Sequence, residues 1–147
     1  MEVKIKKLNP RANIPSYANP GDAAMDVTAI AYEEVITPEG AHYFEYHTGL
    51  AFEVPKGYVM LIFPRSSVSN KSFVLANSVG VLDSGYRGYR GELKVRFKPT
   101  DENYILYNVG DRVAQIMIIP YPEVKFNEVD TLEDSVRGEG GFGSSGN

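Results

Sequence analysis

The sequence predicts an all-β fold, a barrel or a sandwich, on three observations. Apolar residues recur at every second position, two short runs are apolar on both faces, and Pro, Gly and Asn interrupt the chain too often for a long helix. The first alternation opens the chain, with Val3 and Ile5 facing away from Lys4 and Lys6. Turn signals follow at Asn19-Pro20-Gly21, Pro38-Glu39-Gly40 and Pro55-Lys56-Gly57. Between the last two, Ala41-His42-Tyr43-Phe44-Glu45-Tyr46-His47 reads as an edge strand whose odd His42-to-His47 spacing puts the imidazoles on opposite faces, which disfavours a shared metal. Tyr58-Val59-Met60-Leu61-Ile62-Phe63 and Ile116-Met117-Ile118-Ile119, stopped by Pro64 and Pro120, read as interior strands. A single short helix fits Ser66 to Ser72, just after Pro64. Asn77 to Tyr86 reads as a hairpin. Leu93, Val95 and Phe97 set against Lys94, Arg96 and Lys98 read as a half-buried strand.

Composition bounds what such a fold does. At 147 residues the chain suits one domain, large enough to bury about two-thirds of its extended surface. With no cysteine, thiol catalysis, Cys-based zinc sites and disulfides are excluded, and a reducing compartment suits it. The alternating Met1-Glu2-Val3-Lys4-Ile5-Lys6-Lys7 lacks the apolar core of a signal peptide, and no run has the length of a membrane span, so the expectation is a soluble cytoplasmic protein with no membrane partner. A net charge of -4 argues against a general nucleic-acid binder, because phosphate-backbone affinity comes largely from accumulated Lys and Arg. A small anionic substrate remains compatible if cations are placed locally.

Several segments carry candidate chemistry. In Pro64-Arg65-Ser66-Ser67 a guanidinium and two hydroxyls emerge at the end of an interior strand, as a phosphate site requires; the alternative is a serine cap with a surface arginine. Asp83, in Asn77-Ser78-Val79-Gly80-Val81-Leu82-Asp83-Ser84-Gly85-Tyr86, is either a base that orients water or the first residue of an Asp-Ser-Gly turn. Asp26, in Gly21-Asp22-Ala23-Ala24-Met25-Asp26-Val27, is a turn residue or a metal-facing carboxylate. Asn108-Val109-Gly110-Asp111-Arg112 reads as a turn with a local ion pair leading to the strand that carries Gln115. Five of the 14 glycines fall in Arg137-Gly138-Glu139-Gly140-Gly141-Phe142-Gly143-Ser144-Ser145-Gly146-Asn147. A dinucleotide-binding reading of Gly138, Gly140 and Gly143 fails, since no strand precedes them and no helix follows. By composition the segment is a flexible tail, but Arg137 and Phe142 suit an arm that closes on a ligand.

In order, these segments resemble the five motifs of the homotrimeric dUTP diphosphatases (dUTPases). Ala24-Met25-Asp26-Val27 is similar to the first motif, Pro64-Arg65-Ser66-Ser67 to the second, and Asn77 through Tyr86 with Arg87-Gly88 to the third. Gly110-Asp111-Arg112-Val113-Ala114-Gln115 resembles the fourth, and the glycine-rich terminus the fifth. The resemblance implies a jelly-roll-like β-barrel domain over 1–136, and an arm over 137–147 that closes an active site of a neighbouring subunit in a trimer. It implies hydrolysis of dUTP to dUMP and pyrophosphate, which limits uracil in DNA and supplies dUMP for thymidylate synthesis. Asp83 then positions the water that attacks the α-phosphorus, and Asp26 contacts the hydration shell of a Mg²⁺ ion bound with the triphosphate. Arg65, Ser66, Ser67 and Gln115 hold phosphates, while Asn77, Gly80, Val81 and Leu82 read uracil. Tyr86 packs under the deoxyribose. Arg137, Ser144 and Ser145 engage the terminal phosphate, and Phe142, with Gly143 beside it, stacks on the base. For a viral or phage protein, a regulatory protein partner is a further expectation.

Two departures from the family pattern stand out. The tandem Tyr86-Arg87-Gly88-Tyr89-Arg90-Gly91 inserts three residues and makes Tyr89 a second candidate for the sugar platform, and Ser145 stands where the family more often has Thr. The related dCTP deaminases place a Glu where this chain has Leu93 or Arg96, which favours the diphosphatase reading.

Overall fold

The computed structural model describes residues 1–85 and 91–146. Its strands form two antiparallel sheets around one core. One sheet contains β1 (Lys4–Lys7), β3 (Ala31–Ile36), β4 (His42–Glu53), β6 (Phe73–Leu75) and β8 (Glu92–Pro99); the other contains β2 (Met25–Thr28), β5 (Tyr58–Pro64), β7 (Gly80–Leu82) and β9 (Arg112–Pro120). The five-stranded sheet runs β1-β4-β8-β6 with β3 also on β4, and the four-stranded sheet runs β2-β9-β5-β7. This is a jelly-roll-like sandwich, and the sheets do not close into a barrel. Between β6 and β7 the chain turns tightly, Ser78 N–H donating to Leu75 O and Val79 N–H to Asn77 O, with Ser78 at φ 61°. A left-handed residue there interrupts the extended backbone that a continuous ladder requires.

β5 and β9 are the central pair of their sheet, as their two-faced apolar runs imply. β8 alternates as its sequence does, with Leu93, Val95 and Phe97 buried. The core unites Tyr46, Leu50, Phe97, Met60, Val113 and Ile116 from both sheets, each fully buried large apolar side chain worth about 1.5–3 kcal/mol. β4 corrects one expectation: it is an interior strand, with β3 on one side and β8 on the other. Its polar residues tolerate that position because they meet charged cross-strand partners. Glu45 meets Arg96 and Lys94 of β8, and His47 meets Glu33 of β3 and Glu92 of β8.

Glycine matters where chains approach closely. A Cβ on Gly80 would lie 2.9 Å from Ile62 Cβ, so glycine lets β7 settle on β5. The expected short helix is a 3₁₀ turn, Ser66–Asn70, immediately after β5. After Tyr121, whose N–H donates to Gly57 O, residues 122–146 are all exposed. Among the described residues no helix is long and apolar enough to cross a membrane.

Candidate active site

The first group of candidates gathers at one end of the four-stranded sheet. Register puts Gln115 beside both Asp26 and Phe63, so all three side chains share the outward face. β5 ends at Pro64, which delivers Arg65 to the same place. Asp26 Oδ1 accepts the Arg65 Nε–H at 2.8 Å and Oδ2 accepts Arg112 Nη1 at 3.5 Å; Arg65 also reaches Arg112 O at 3.4 Å. Gln115 Nε2 donates to Pro64 O at 3.0 Å. Asp26, Arg65 and Gln115, with Ser66 and Asp22, line an open cavity of about 440 Å³. Guanidinium, amide and hydroxyl donors held in fixed directions suit a phosphate chain. Ser67 differs from Ser66: its hydroxyl turns inward, 3.0 Å from the Tyr107 hydroxyl.

The second group lies on the hairpin. Gly80, Val81 and Leu82 pair with Ile62, Leu61 and Met60, and together with Asn77 they line a cavity of about 540 Å³ shared with Glu45, Lys94 and Arg96. Asp83 is exposed, and one carboxylate oxygen accepts the Gly85 N–H at 2.9 Å. The aspartate therefore closes the Asp-Ser-Gly turn and keeps its other oxygen for another partner. Tyr86 and the competing Tyr89 lie outside the described residues.

The two groups do not meet within one chain. Leu82 stands opposite Met60, so Asp83 continues level with Val59, while Arg65 follows the other end of β5. Six residues at strand rise separate those levels by about 20 Å. Between them the outward face is apolar: Val59, Leu61 and Phe63 of β5 and Met117 and Ile119 of β9 are only half-buried, and Val81 is 69% exposed.

The arm makes a third group. Arg137, Phe142, Gly143, Ser144 and Ser145 are exposed, in tight turns closed by Gly140 N–H to Arg137 O and Ser144 N–H to Gly141 O. A Cβ on Gly140 would lie 2.7 Å from Ser144 Oγ, so a side chain there would push the serine hydroxyl aside. In the longer exposed stretch from 122 to 146, Phe126, Leu132 and Phe142 are 92%, 87% and 112% exposed, which leaves large apolar groups uncovered by their own chain.

Sequence reasoning missed Arg112 and Tyr107. The expected local ion pair at Asp111 and Arg112 is replaced by Arg112 to Asp26, while Asp111 Oδ2 accepts the Asn108 N–H at 2.8 Å. Nothing in the local sequence signals a partner on β2. Glu45, also outside the predicted set, is buried between Arg96 and Lys94. Burial is the largest single influence and opposes its ionisation, but the hydrogen bonds and charges of Arg96 and then Lys94 together hold its carboxyl below the ordinary value.

The first cavity offers two carboxylates, Asp22 and Asp26, to a divalent cation. Both Asp26 oxygens already accept from guanidiniums, and Asp22 Oδ2 accepts the Asn19 N–H. The described cluster of three close ligand atoms, Glu33, Glu45 and His47, is on the other sheet. Mg²⁺ commonly takes one or two carboxylates, waters and substrate phosphates. The donor set therefore suits an ion carried mainly by phosphate oxygens, with Asp26 reaching it through water.

A family model described as dUTPase matches residues 10–146. The chain is similar to the deoxyuridine 5'-triphosphate nucleotidohydrolase of Thermobifida fusca, 39% identical over 99% of this chain and 79% of the relative. Among solved structures, a mutant dUTPase of Staphylococcus bacteriophage 80alpha with dUpNHpp superposes with a TM-score of 0.79 at 28% identity, covering 99% of this chain and 98% of that one. A mutant dUTPase from phage phi11 of S. aureus, described with a structural Mg(II) ion, shares the fold with a TM-score of 0.71 at 22% identity over 89% of this chain and 98% of that one.

Proposed function

The chain belongs to the dUTPase family of dUTP-hydrolysing enzymes, and we propose that it turns dUTP into dUMP and pyrophosphate at sites assembled from more than one copy of itself. The observation that carries this reading is the separation of Asp83 from Arg65 by the length of β5. A base acting at the α-phosphorus and a guanidinium holding the same phosphate chain must come within a few ångströms of one substrate. Two copies facing each other across the apolar outward sheet face meet that requirement, and the family's trimer supplies such neighbours. The uncovered Phe142 supports a closing segment over 137–147 that leaves its own chain, with 1–136 as the body.

In this mechanism the free Asp83 oxygen orients a water in line with the α-phosphorus. Arg65, Ser66 and Gln115 bind and orient the phosphates, and donors already fixed by Asp26 and Pro64 need little reorganisation as charge develops. Mg²⁺ bound with the triphosphate would neutralise charge on the pyrophosphate leaving group. Asp26 would accept from one of its waters. On the hairpin, Asn77 and the backbone of Gly80, Val81 and Leu82 read uracil: a narrow slot excludes the 5-methyl of thymine, and fixed donors and acceptors leave cytosine's amine mismatched. Tyr86 packs against the deoxyribose and leaves no room for a 2′-hydroxyl. Arg137, Ser144 and Ser145 close on the terminal phosphate, Gly143 allows close approach, and Phe142 stacks on the base, so that bulk water is excluded. The cytoplasmic nucleotide pool is the fitting location for this work.

Subunit complementation tests the reading. Asp83→Asn and Arg65→Ala proteins should each be nearly inactive alone, by about 10²-fold or more, and should regain substantial dUTP turnover when unfolded together and refolded as mixed oligomers. Mixed oligomers as inactive as the parents would place both groups in one chain's site and overturn the proposal.

A further inference from the structure

Tyr107 belongs to none of the segments above, yet it holds the turn that carries Arg65 and Ser66. It is 2% exposed, in the connection between β8 and β9. Its hydroxyl lies 3.0 Å from Ser67 Oγ. Its carbonyl accepts the hydroxyl of buried Tyr46 at 3.0 Å, and its ring packs against Phe97 at 5.5 Å and Tyr46 at 6.1 Å. From the far end of the turn, Lys71 sets its ammonium 4.9 Å from the centre of the Tyr107 ring and donates to Leu106 O at 3.4 Å. No residue of the 3₁₀ turn Ser66–Asn70 is itself buried, and Val68 packs only partly on the core. The turn therefore depends on polar ties for its placement.

We infer that Tyr107 is a positioning residue for phosphate binding: its hydroxyl fixes Ser67 inward and thereby aims Ser66 and Arg65 at the cavity. A tyrosine suits this role because its ring is rigid, and a buried hydroxyl left unpaired is costly, so the contact selects one placement of the turn. Ser67 then acts as an anchor, and the neighbouring Ser66 is the hydroxyl that faces the phosphates. Displacing phosphate donors by about 1 Å is enough to lose much of their effect. The inference rests on the proposed role of Arg65 and Ser66 at the triphosphate.

The test compares binding of dUpNHpp and dUMP to the intact oligomer. Tyr107→Phe, which keeps the ring, should weaken dUpNHpp by roughly ten-fold, the worth of one buried hydrogen bond, and leave dUMP nearly unchanged. Ser67→Ala should do the same, and the double variant should lose little more than either one. Tyr107→Phe with unchanged dUpNHpp affinity, or with equal losses for dUpNHpp and dUMP, would overturn the inference, the second result marking a merely structural role. Arg65→Ala in parallel separates the two levels. If it loses dUpNHpp while Tyr107→Phe does not, only the positioning role fails; if it binds dUpNHpp normally, the phosphate reading of the turn fails and takes this inference with it.

Discussion

The Asp26 carboxylate accepts the Arg65 Nε–H at 2.8 Å, across the full width of β9. Two strands that are not neighbours are thereby tied at the mouth of the phosphate cavity, and the arginine is aimed before any substrate arrives. Arg112 shares the same carboxylate. Its charge thus has two tasks in the proposed mechanism, holding guanidiniums and reaching a hydrated cation.

Asp26→Asn removes that charge with little change of shape. The expected result is a fall of about 10- to 100-fold in kcat/KM and a higher Mg²⁺ concentration for half-maximal rate, read by titrating Mg²⁺ at fixed dUTP. Unchanged rate and unchanged Mg²⁺ demand would remove Asp26 from the mechanism.

Truncation after Val136 removes a segment of which residues 137–146 are all exposed. The melting temperature and oligomeric mass should stay close to those of the full chain, while dUTP turnover falls severely. Monomerisation or unfolding would show that residues 137–147 serve the assembly more than the site.

Glu45 predicts a pH dependence of stability. Its folded carboxyl sits below the ordinary value of 4.5, so the unfolded chain binds the proton more readily. Stability from this group is present above that value and is lost as pH falls through the folded one. Thermal melts should therefore drop in acid below about pH 4.5, and Glu45→Gln should show a shallower drop. An identical acid slope in the variant would assign the loss to other carboxylates.

Much of the fold was legible because burial in a sheet has a period of two. Leu93, Val95 and Phe97 announce their face of β8, and β5 and β9 announce interior positions by being apolar on both sides. Pro64 and the following serines mark where the chain must leave the sheet. His42 to His47 reads as an edge strand in the sequence, whereas β3 and β8 flank it and supply charged partners. Arg112 looked paired to its neighbour Asp111, but on β9 it reaches Asp26 of the adjacent strand.

By itself, the sequence determined the strands, the turn after Pro64 and the order of the five motifs, since backbone preference and alternation are local and five ordered motifs are specific. Which of those residues share a cavity depends on how the strands pair and pack. Register set Asp26 beside Gln115 and delivered Arg65 to both, the same ladder carried Asp83 to the opposite end of β5, and a tyrosine with no sequence signal came to lie under Ser67. Those outcomes depend on strand order and on contacts between residues far apart in the chain, 39 positions for Arg65 and Asp26 and 40 for Ser67 and Tyr107, which no local pattern encodes.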